Sequence, residues 1–67
     1  MVIVPNRLKE WRQKRHMTQG DLAKAAGVSR ATVIAIERGA DKKYSVDTLL
    51  KLAEGVNKPL RSIFFTK

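Results

Sequence analysis

Apolar residues recur at helical spacing in five segments of the chain, and polar or turn-forming residues separate these segments. Apolar positions three and four residues apart predict helices over 6–15, 18–25, 29–38, 46–55 and 60–64. The residues expected to face the core are Leu8 and Trp11, then Leu22, Ala23 and Ala26, then Val33 and Ile36, then Val46, Leu49, Leu50 and Ala53, and finally Leu60, Ile63 and Phe64. The pattern therefore predicts an all-α fold, with residues 1–67 forming a single compact five-helix domain.

Three of these helices share the same start signal. An apolar residue is followed by a hydroxyl residue (Thr18, Ser29 or Ser45), and a second apolar residue stands four positions after the hydroxyl. The hydroxyl can accept from free amide groups of the first turn, while the apolar pair packs across it. Asp21 stands at the third position after Thr18, which predicts a reciprocal capping box. Residues suited to a left-handed conformation follow three of the predicted helices: Gly27, Gly39 and Asn57.

The two ends of the chain have the composition of strands. Residues 2–4 are β-branched and precede Pro5, and residues 64–66 are two phenylalanines and a threonine. One interpretation is a short antiparallel pairing of the two ends, within one chain or between two. The other is a pair of frayed tails.

The charge balance favours a polyanionic partner. Fourteen Lys and Arg residues stand against six Asp and Glu residues, which leaves a net charge of +8 on 67 residues. The chain has no cysteine, and no apolar run approaches the ~18 residues that a membrane span requires. We therefore expect a cytoplasmic protein with no membrane association, no metal site and no cofactor.

The central segment, residues 18–39, predicts two short helices joined by a turn at residues 26–28. Small residues, Ala23 and Ala26, would let the two helices cross closely, so that the second protrudes far enough to enter a DNA groove. The chain closely resembles the phage Cro and repressor (Xre-like) helix-turn-helix family over residues 6–64. The motifs that carry the resemblance are Leu8-x-x-Trp11-Arg12, Thr18-Gln19-x-x-Leu22-Ala23, Gly27-Val28-Ser29-x-x-Thr32-Val33-x-x-Ile36-Glu37-x-Gly39, Leu49-x-x-Leu52-Ala53 and Leu60-x-x-Ile63-Phe64.

The resemblance implies that the helix over 29–38 is a recognition helix for double-stranded DNA. The matching positions imply that Gln19 contacts a phosphate at the start of the second helix, and that Arg38 contacts the DNA backbone. The positions expected to face base edges are Ser29, Arg30, Ala31, Ile34 and Ala35. The resemblance also implies a buried ion pair between Arg12 and Glu37, with two solvated charges as the alternative.

The chemistry of the predicted contact residues fits these roles, with alternatives left open. Arg30 has the fork geometry that reads guanine, yet it would serve equally as a phosphate clamp. Ile34 and the two alanines beside it offer only apolar contact, which suits a thymine methyl group. For Ile34 the alternatives are core packing or a dimer contact. Lys42 and Lys43 suit phosphate contact, although their loop is about one residue longer than the commonest form in the family and ends in Tyr44 where proline is frequent.

Dimerisation is expected through the C-terminal region, because one recognition helix covers too few base pairs to be selective. The predicted interface comprises Leu60, Ile63, Phe64 and Phe65. Phe65 departs from the face that the other three share, and it is the residue most suited to cross to a partner. The alternative is that all four complete the core of one chain.

These observations predict a transcriptional regulator, a repressor that binds a palindromic operator as a homodimer. The alternatives are an antitoxin of a toxin–antitoxin pair, which would add a toxin partner, and a controller protein of a restriction–modification system. An enzyme is disfavoured because the sequence offers no nucleophile with a matching histidine and acid, and His16 has no such partners.

Overall fold

The computed structural model describes residues 6–64, and these form five α-helices with a short 3₁₀ turn between the third and the fourth. The elements are α1 Leu8–Lys14, α2 Gln19–Ala26, α3 Arg30–Glu37, the 3₁₀ turn Ala40–Lys43, α4 Val46–Gly55 and α5 Leu60–Ile63. The predicted all-α architecture of five helices is confirmed, and no strand occurs between residues 6 and 64. The predicted pairing of the two ends involves residues 2–4 and 65–66, which lie outside the described residues.

The three predicted helix starts are capped as the sequence indicates. The Thr18 side chain accepts a hydrogen bond from the Asp21 amide at 3.0 Å, and the Thr18 amide donates to the Asp21 carboxylate at 2.9 Å, which completes the capping box. Ser29 and Ser45 cap α3 and α4 in the same way through their hydroxyl groups. The backbone bond from Thr18, more than any other contact, lowers the pKa of Asp21 below its ordinary value of 3.8.

The connections between the helices are fixed by residues with left-handed backbone conformations. Gly27 follows α2 with φ at 73°, and the amide of Val28 returns to the carbonyl of Ala23 at 3.0 Å. Asn57 takes the same role after α4, with φ at 58°, as predicted. His16, after α1, is also left-handed, with φ at 56°, a conformation that the sequence pattern did not predict.

The core is made by apolar side chains from all five helices. Leu8, Leu22, Val33, Ile36, Leu52 and Ile63 are fully buried. α2 and α4 approach closely at Gly55, where an added Cβ would stand 2.7 Å from the Cδ1 atom of Leu22. This close contact holds α2 in place and so supports the surface that α2 and α3 form together.

The predicted buried face of α4 is wrong at two positions. Val46 and Leu50 are 62% and 42% exposed, whereas Leu52 and Val56 are 0% and 1% exposed. Two apolar stripes of helical spacing share Leu49 and Ala53. One of them also includes Val46 and Leu50, and the other also includes Leu52 and Val56. Periodicity alone cannot choose between them. Packing of α4 against α2 and α5 selects the second stripe, which leaves Val46 and Leu50 at the surface.

Trp11 lies at the rim of the core and joins α1 to α5. Its ring is half-buried, and its indole nitrogen donates to the carbonyl of Ser62 at 3.2 Å. The ammonium groups of Lys14 and Lys58 lie 4.7 Å and 4.4 Å from the ring centroid, which is cation–π distance. The large ring therefore covers this edge of the core and contacts two cations, of which Lys14 is exposed and Lys58 half-buried.

Candidate nucleic-acid interface

α2 and α3 cross through a short turn, and the crossing turns one face of α3 away from the core. Ala23 and Ala26 of α2 are both buried, and Ala26 lies against α4, where a Cβ added at Gly55 would stand 3.5 Å from its own Cβ. Val33 and Ile36 point inward and are fully buried. The opposite side of α3 is left accessible, which is the arrangement a recognition helix requires.

The structure brings the predicted contact residues of α2 and α3 to this accessible side. Six of the nine predicted residues are exposed, namely Ser29, Arg30, Ala31, Arg38, Lys42 and Lys43, and three are half-buried, namely Gln19, Ile34 and Ala35. Gln19 stands between two clefts. One is shared with Arg30, and the other with Ile34 and Arg38. We refer to the surface formed by the nine residues as the α3 face.

Ser29 has a structural role besides its exposure. Its hydroxyl accepts from the amide of Thr32 at 3.1 Å and lies 2.8 Å from the Thr32 hydroxyl. Ser29 is exposed and Thr32 is half-buried, so the cap sits at the surface, at the end of α3 that carries Arg30. The capping bond fixes the first turn of α3 and with it the direction in which Arg30 leaves the helix.

Lys9 belongs to this surface although the sequence analysis did not select it. It is exposed, and it lines the same cleft as Gln19, Ile34 and Arg38. Lys9 stands three residues before Arg12, which contacts Glu37 of α3, so helical spacing places both side chains on the same side of α1. The three-residue spacing from Arg12 was the signal that could have identified Lys9.

A buried ion pair joins α1 to the end of α3, as predicted. Nε of Arg12 donates to Oε2 of Glu37 at 2.6 Å, and a second guanidinium nitrogen lies 3.3 Å from Oε1. The two side chains are only 10% and 5% exposed. Arg12 also donates to the carbonyl of Met17 at 2.8 Å, just before the cap of α2, while the Gln19 carboxamide nitrogen donates to Glu37 at 3.2 Å. One guanidinium therefore fixes the start of α2 relative to the end of α3.

Comparison with known proteins agrees with this geometry. A helix-turn-helix family model matches residues 8–63. The chain belongs to the helix-turn-helix family. The resemblance to Cro and repressor-type proteins is thereby confirmed, and the chain is a DNA-binding domain of the kind found in transcriptional regulators.

Relatives of this helix-turn-helix chain include archaeal proteins and one bacterial structure. It is 53% identical over 53 residues to an uncharacterized HTH-type transcriptional regulator of Methanocaldococcus jannaschii, covering 79% of this chain and 73% of the relative. It is 42% identical over 60 residues to one of Archaeoglobus fulgidus, covering 87% and 80%. The crystal structure of the restriction-modification controller protein C.AhdI from Aeromonas hydrophila superposes with a TM-score of 0.76 at 34% identity, covering 84% of this chain and 83% of that one.

The loop after the helix-turn-helix unit forms a 3₁₀ turn that is anchored at both ends. Gly39 begins it with φ at 108°, and Tyr44 ends it with a half-buried ring that packs against the core. Asn6, which is buried, donates to the carbonyl of Ile36 at 2.7 Å and lies 3.5 Å from the Asp41 carboxylate. Tyr44 in place of proline therefore attaches the loop through its side chain, and Lys42 and Lys43 remain exposed beside the end of α3.

The residues predicted for a dimer interface fall into different environments. Ile63 and Phe64 are 0% and 3% exposed within one chain, so they complete its core, a role that the sequence analysis left open. Leu60 is half-buried against that core. Phe65 lies outside the described residues. Among residues 6–64, the large apolar side chains that remain exposed are Val46 and Leu50 on α4.

Other kinds of site find no support in the described part of the chain. Between residues 6 and 64 there is no cluster of three or more His, Cys, Asp or Glu side chains arranged to hold a metal ion. No helix in that range is long and apolar enough to cross a membrane.

Proposed function

We propose that the chain is a sequence-specific regulator of transcription that binds double-stranded DNA through the α3 face, with α3 lying in the major groove. The observation that carries the proposal is the position of Gln19 between two clefts, one shared with Arg30 and the other with Ile34 and Arg38. With its eight residues, α3 is about 12 Å long, comparable to the width of the groove. A DNA strand beside α3 would thus meet cationic or amide donors near both ends of the helix.

The charge of this surface supports contact with the phosphate backbone. Exposed basic side chains surround α3: Lys9, Arg30, Arg38, Lys42 and Lys43. The apolar side chains between them, Ile34 and Ala35, leave room for base edges and suit thymine methyl groups. The surface thus has basic groups at its edges and small apolar groups in its middle. This combination is expected where phosphate contacts position the protein and contacts in the middle read the bases.

We further propose that the regulator is a repressor that binds a palindromic operator as a homodimer. A single α3 reads only a few base pairs, and a two-fold dimer would place two such helices about 34 Å apart on successive turns of DNA. Val46 and Leu50 are separated by one helical turn on the exposed side of α4, and they are the large apolar groups that one chain leaves uncovered. We assign them to the interface together with Leu60 and Phe65.

A controller protein of a restriction–modification system is the second candidate. The likeness to C.AhdI, which extends over 84% of this chain at 34% identity, favours it over other roles of the same fold. The two candidates share the DNA-binding surface and differ in the genes that they control. Genomic neighbourhood separates them, because a controller would be encoded beside a methyltransferase and a nuclease.

The salt dependence of binding tests the proposed function. A duplex selected from a random pool should bind with a log–log salt slope of about −0.9 for each phosphate that the protein contacts. Lys43→Ala should reduce that slope by about one such unit. The matched control is Lys14→Ala on the other side of α1, where Lys14 contacts Trp11, and it should leave the slope unchanged. A flat salt response would contradict the proposal.

A further inference from the structure

The hydrogen bond between Gln19 and Glu37 connects the predicted phosphate contact to the buried ion pair. We propose that Glu37 is a positioning residue for DNA binding: it holds the Gln19 carboxamide so that its second N–H group points at a phosphate. The inference rests on the proposed function, because it concerns the same surface. It adds a residue that touches no DNA itself and acts through Gln19.

The geometry determines which way the carboxamide faces. A glutamine side chain presents an oxygen that only accepts and a nitrogen with two donor hydrogens. The Glu37 carboxylate can only accept, so the nitrogen of Gln19 faces it, at 3.2 Å from Oε1. One hydrogen of that nitrogen is then engaged and the other is directed away from Glu37. The same contact keeps the carboxamide oxygen from taking the place where a phosphate oxygen would bind.

The Arg12 guanidinium neutralises the Glu37 carboxylate, which lies close to the proposed phosphate position. A lone anion in this cleft would repel DNA, but Arg12 contacts both oxygens of Glu37, at 2.6 Å and 3.3 Å. The pair is nearly buried and close to neutral as a unit, so Glu37 can orient Gln19 without presenting a net negative charge. Because Arg12 also holds the Met17 carbonyl, the backbone that carries Gln19 is fixed by the same group.

The mobility of the Gln19 side chain in the free wild-type protein gives a direct test. Side-chain amide relaxation measured by NMR should show a high order parameter for Gln19, because its nitrogen is bonded to a buried carboxylate. Gln13 is the internal comparison, since it lies exposed on α1. Its order parameter should be low. Equal order parameters for the two side chains would overturn the inference. The measurement uses only the wild-type protein, so it does not depend on the folding of any variant.

A double-mutant cycle with DNA tests the functional consequence. Gln19→Ala should weaken binding of the selected duplex by about tenfold in the wild type. In the background Arg12→Met with Glu37→Leu, which removes the acceptor and replaces the ion pair by apolar groups, the same change should cost less than about threefold. Arg30→Ala is the control and should cost the same factor in both backgrounds. Circular dichroism verifies that each variant is folded at the temperature used.

The outcomes separate this inference from the proposed function. Equal losses for Gln19→Ala in the two backgrounds would contradict positioning by Glu37 while leaving DNA binding by the α3 face intact. No loss in either background would likewise overturn the inference, since Gln19 would then not contact DNA. Failure of the wild type to bind any duplex would overturn both.

Discussion

Arg12 on α1 and Glu37 at the end of α3 form a nearly buried ion pair, with Nε and Oε2 only 2.6 Å apart. The pair links two helices that are separated by α2 in the sequence. Because both charges have lost most of their water, each depends on the other. The end of α3 is thereby held against α1, next to the cleft that Lys9 and Gln19 line.

Glu37→Ala should reduce the free energy of unfolding by about 3–5 kcal/mol, because it leaves the Arg12 guanidinium buried without its partner. The double change Arg12→Met with Glu37→Leu should cost far less, since it removes both charges together and fills the same space with apolar side chains. Urea unfolding followed by circular dichroism measures both. Small and equal losses would mean that the two charges are solvated in solution.

Arg30→Ala should weaken binding to the selected operator by about 1–3 kcal/mol and relax the preference at one base pair, if Arg30 reads guanine. Lys43→Ala should weaken all duplexes alike, because a lysine in the loop after α3 meets only the backbone. Selection from a random pool with each variant distinguishes the two effects. An unchanged base preference for Arg30→Ala would make Arg30 a phosphate clamp instead.

Acidification should destabilise the protein in part through Asp21. The backbone N–H of Thr18 stabilises the charged carboxylate and lowers its folded-state pKa, so the contribution is present above the ordinary pKa and is lost as pH falls through the lowered one. Asp21→Asn should abolish this part of the acid dependence in urea unfolding measured across acidic pH. Thr18→Ala is the control: it should cost about 1 kcal/mol at neutral pH through the lost cap. It should keep the larger part of the acid dependence, because the backbone N–H, the first cause of the lowered pKa of Asp21, remains. Identical acid dependence in wild type and Asp21→Asn would contradict this account of the cap.

Leu50→Ser should weaken dimerisation, because it removes an exposed apolar group from the proposed interface on α4. Lys51→Ser alters the neighbouring exposed residue on the same helix and should leave the dimer intact. Phe65→Ser should weaken the dimer as well if the chain end crosses to the partner. Sedimentation equilibrium of the four proteins decides the question. A monomeric wild type, or a Leu50→Ser variant that dimerises undiminished, would contradict the assignment.

Local signals in the sequence predicted most of the fold. The caps at Thr18, Ser29 and Ser45 depend only on residues within one turn of the helix start, and the structure confirms all three. The left-handed positions Gly27 and Asn57 are local as well. The face of α4 was different, because two stripes of equal periodicity compete there. Which one is buried depends on how α2 and α5 pack against it, and that contact is not encoded within α4 itself.

The sequence could predict which residues form the candidate site, but not all of the contacts that those residues make with one another. The family resemblance supplied the α3 face and the ion pair between Arg12 and Glu37. The bond from Gln19 to Glu37 joins residues 18 positions apart on different helices, so it emerges only once α2 and α3 are crossed. Lys9 was overlooked for a similar reason. Its importance comes from the cleft it shares with α3, and its spacing from Arg12 indicates that cleft only once Arg12 is known to contact Glu37.

Backbone amide shift changes on titration with the selected duplex test the central claim most directly, because they identify which face of the protein meets DNA. The account predicts that the largest changes fall at the start of α2, along α3 and in the 3₁₀ turn at 40–43. The far side of α1, around Trp11 and Lys14, should remain nearly unchanged. Changes concentrated around Trp11, Lys14 and Lys58, with α3 unaffected, would contradict the assignment of α3 as the helix that enters the major groove.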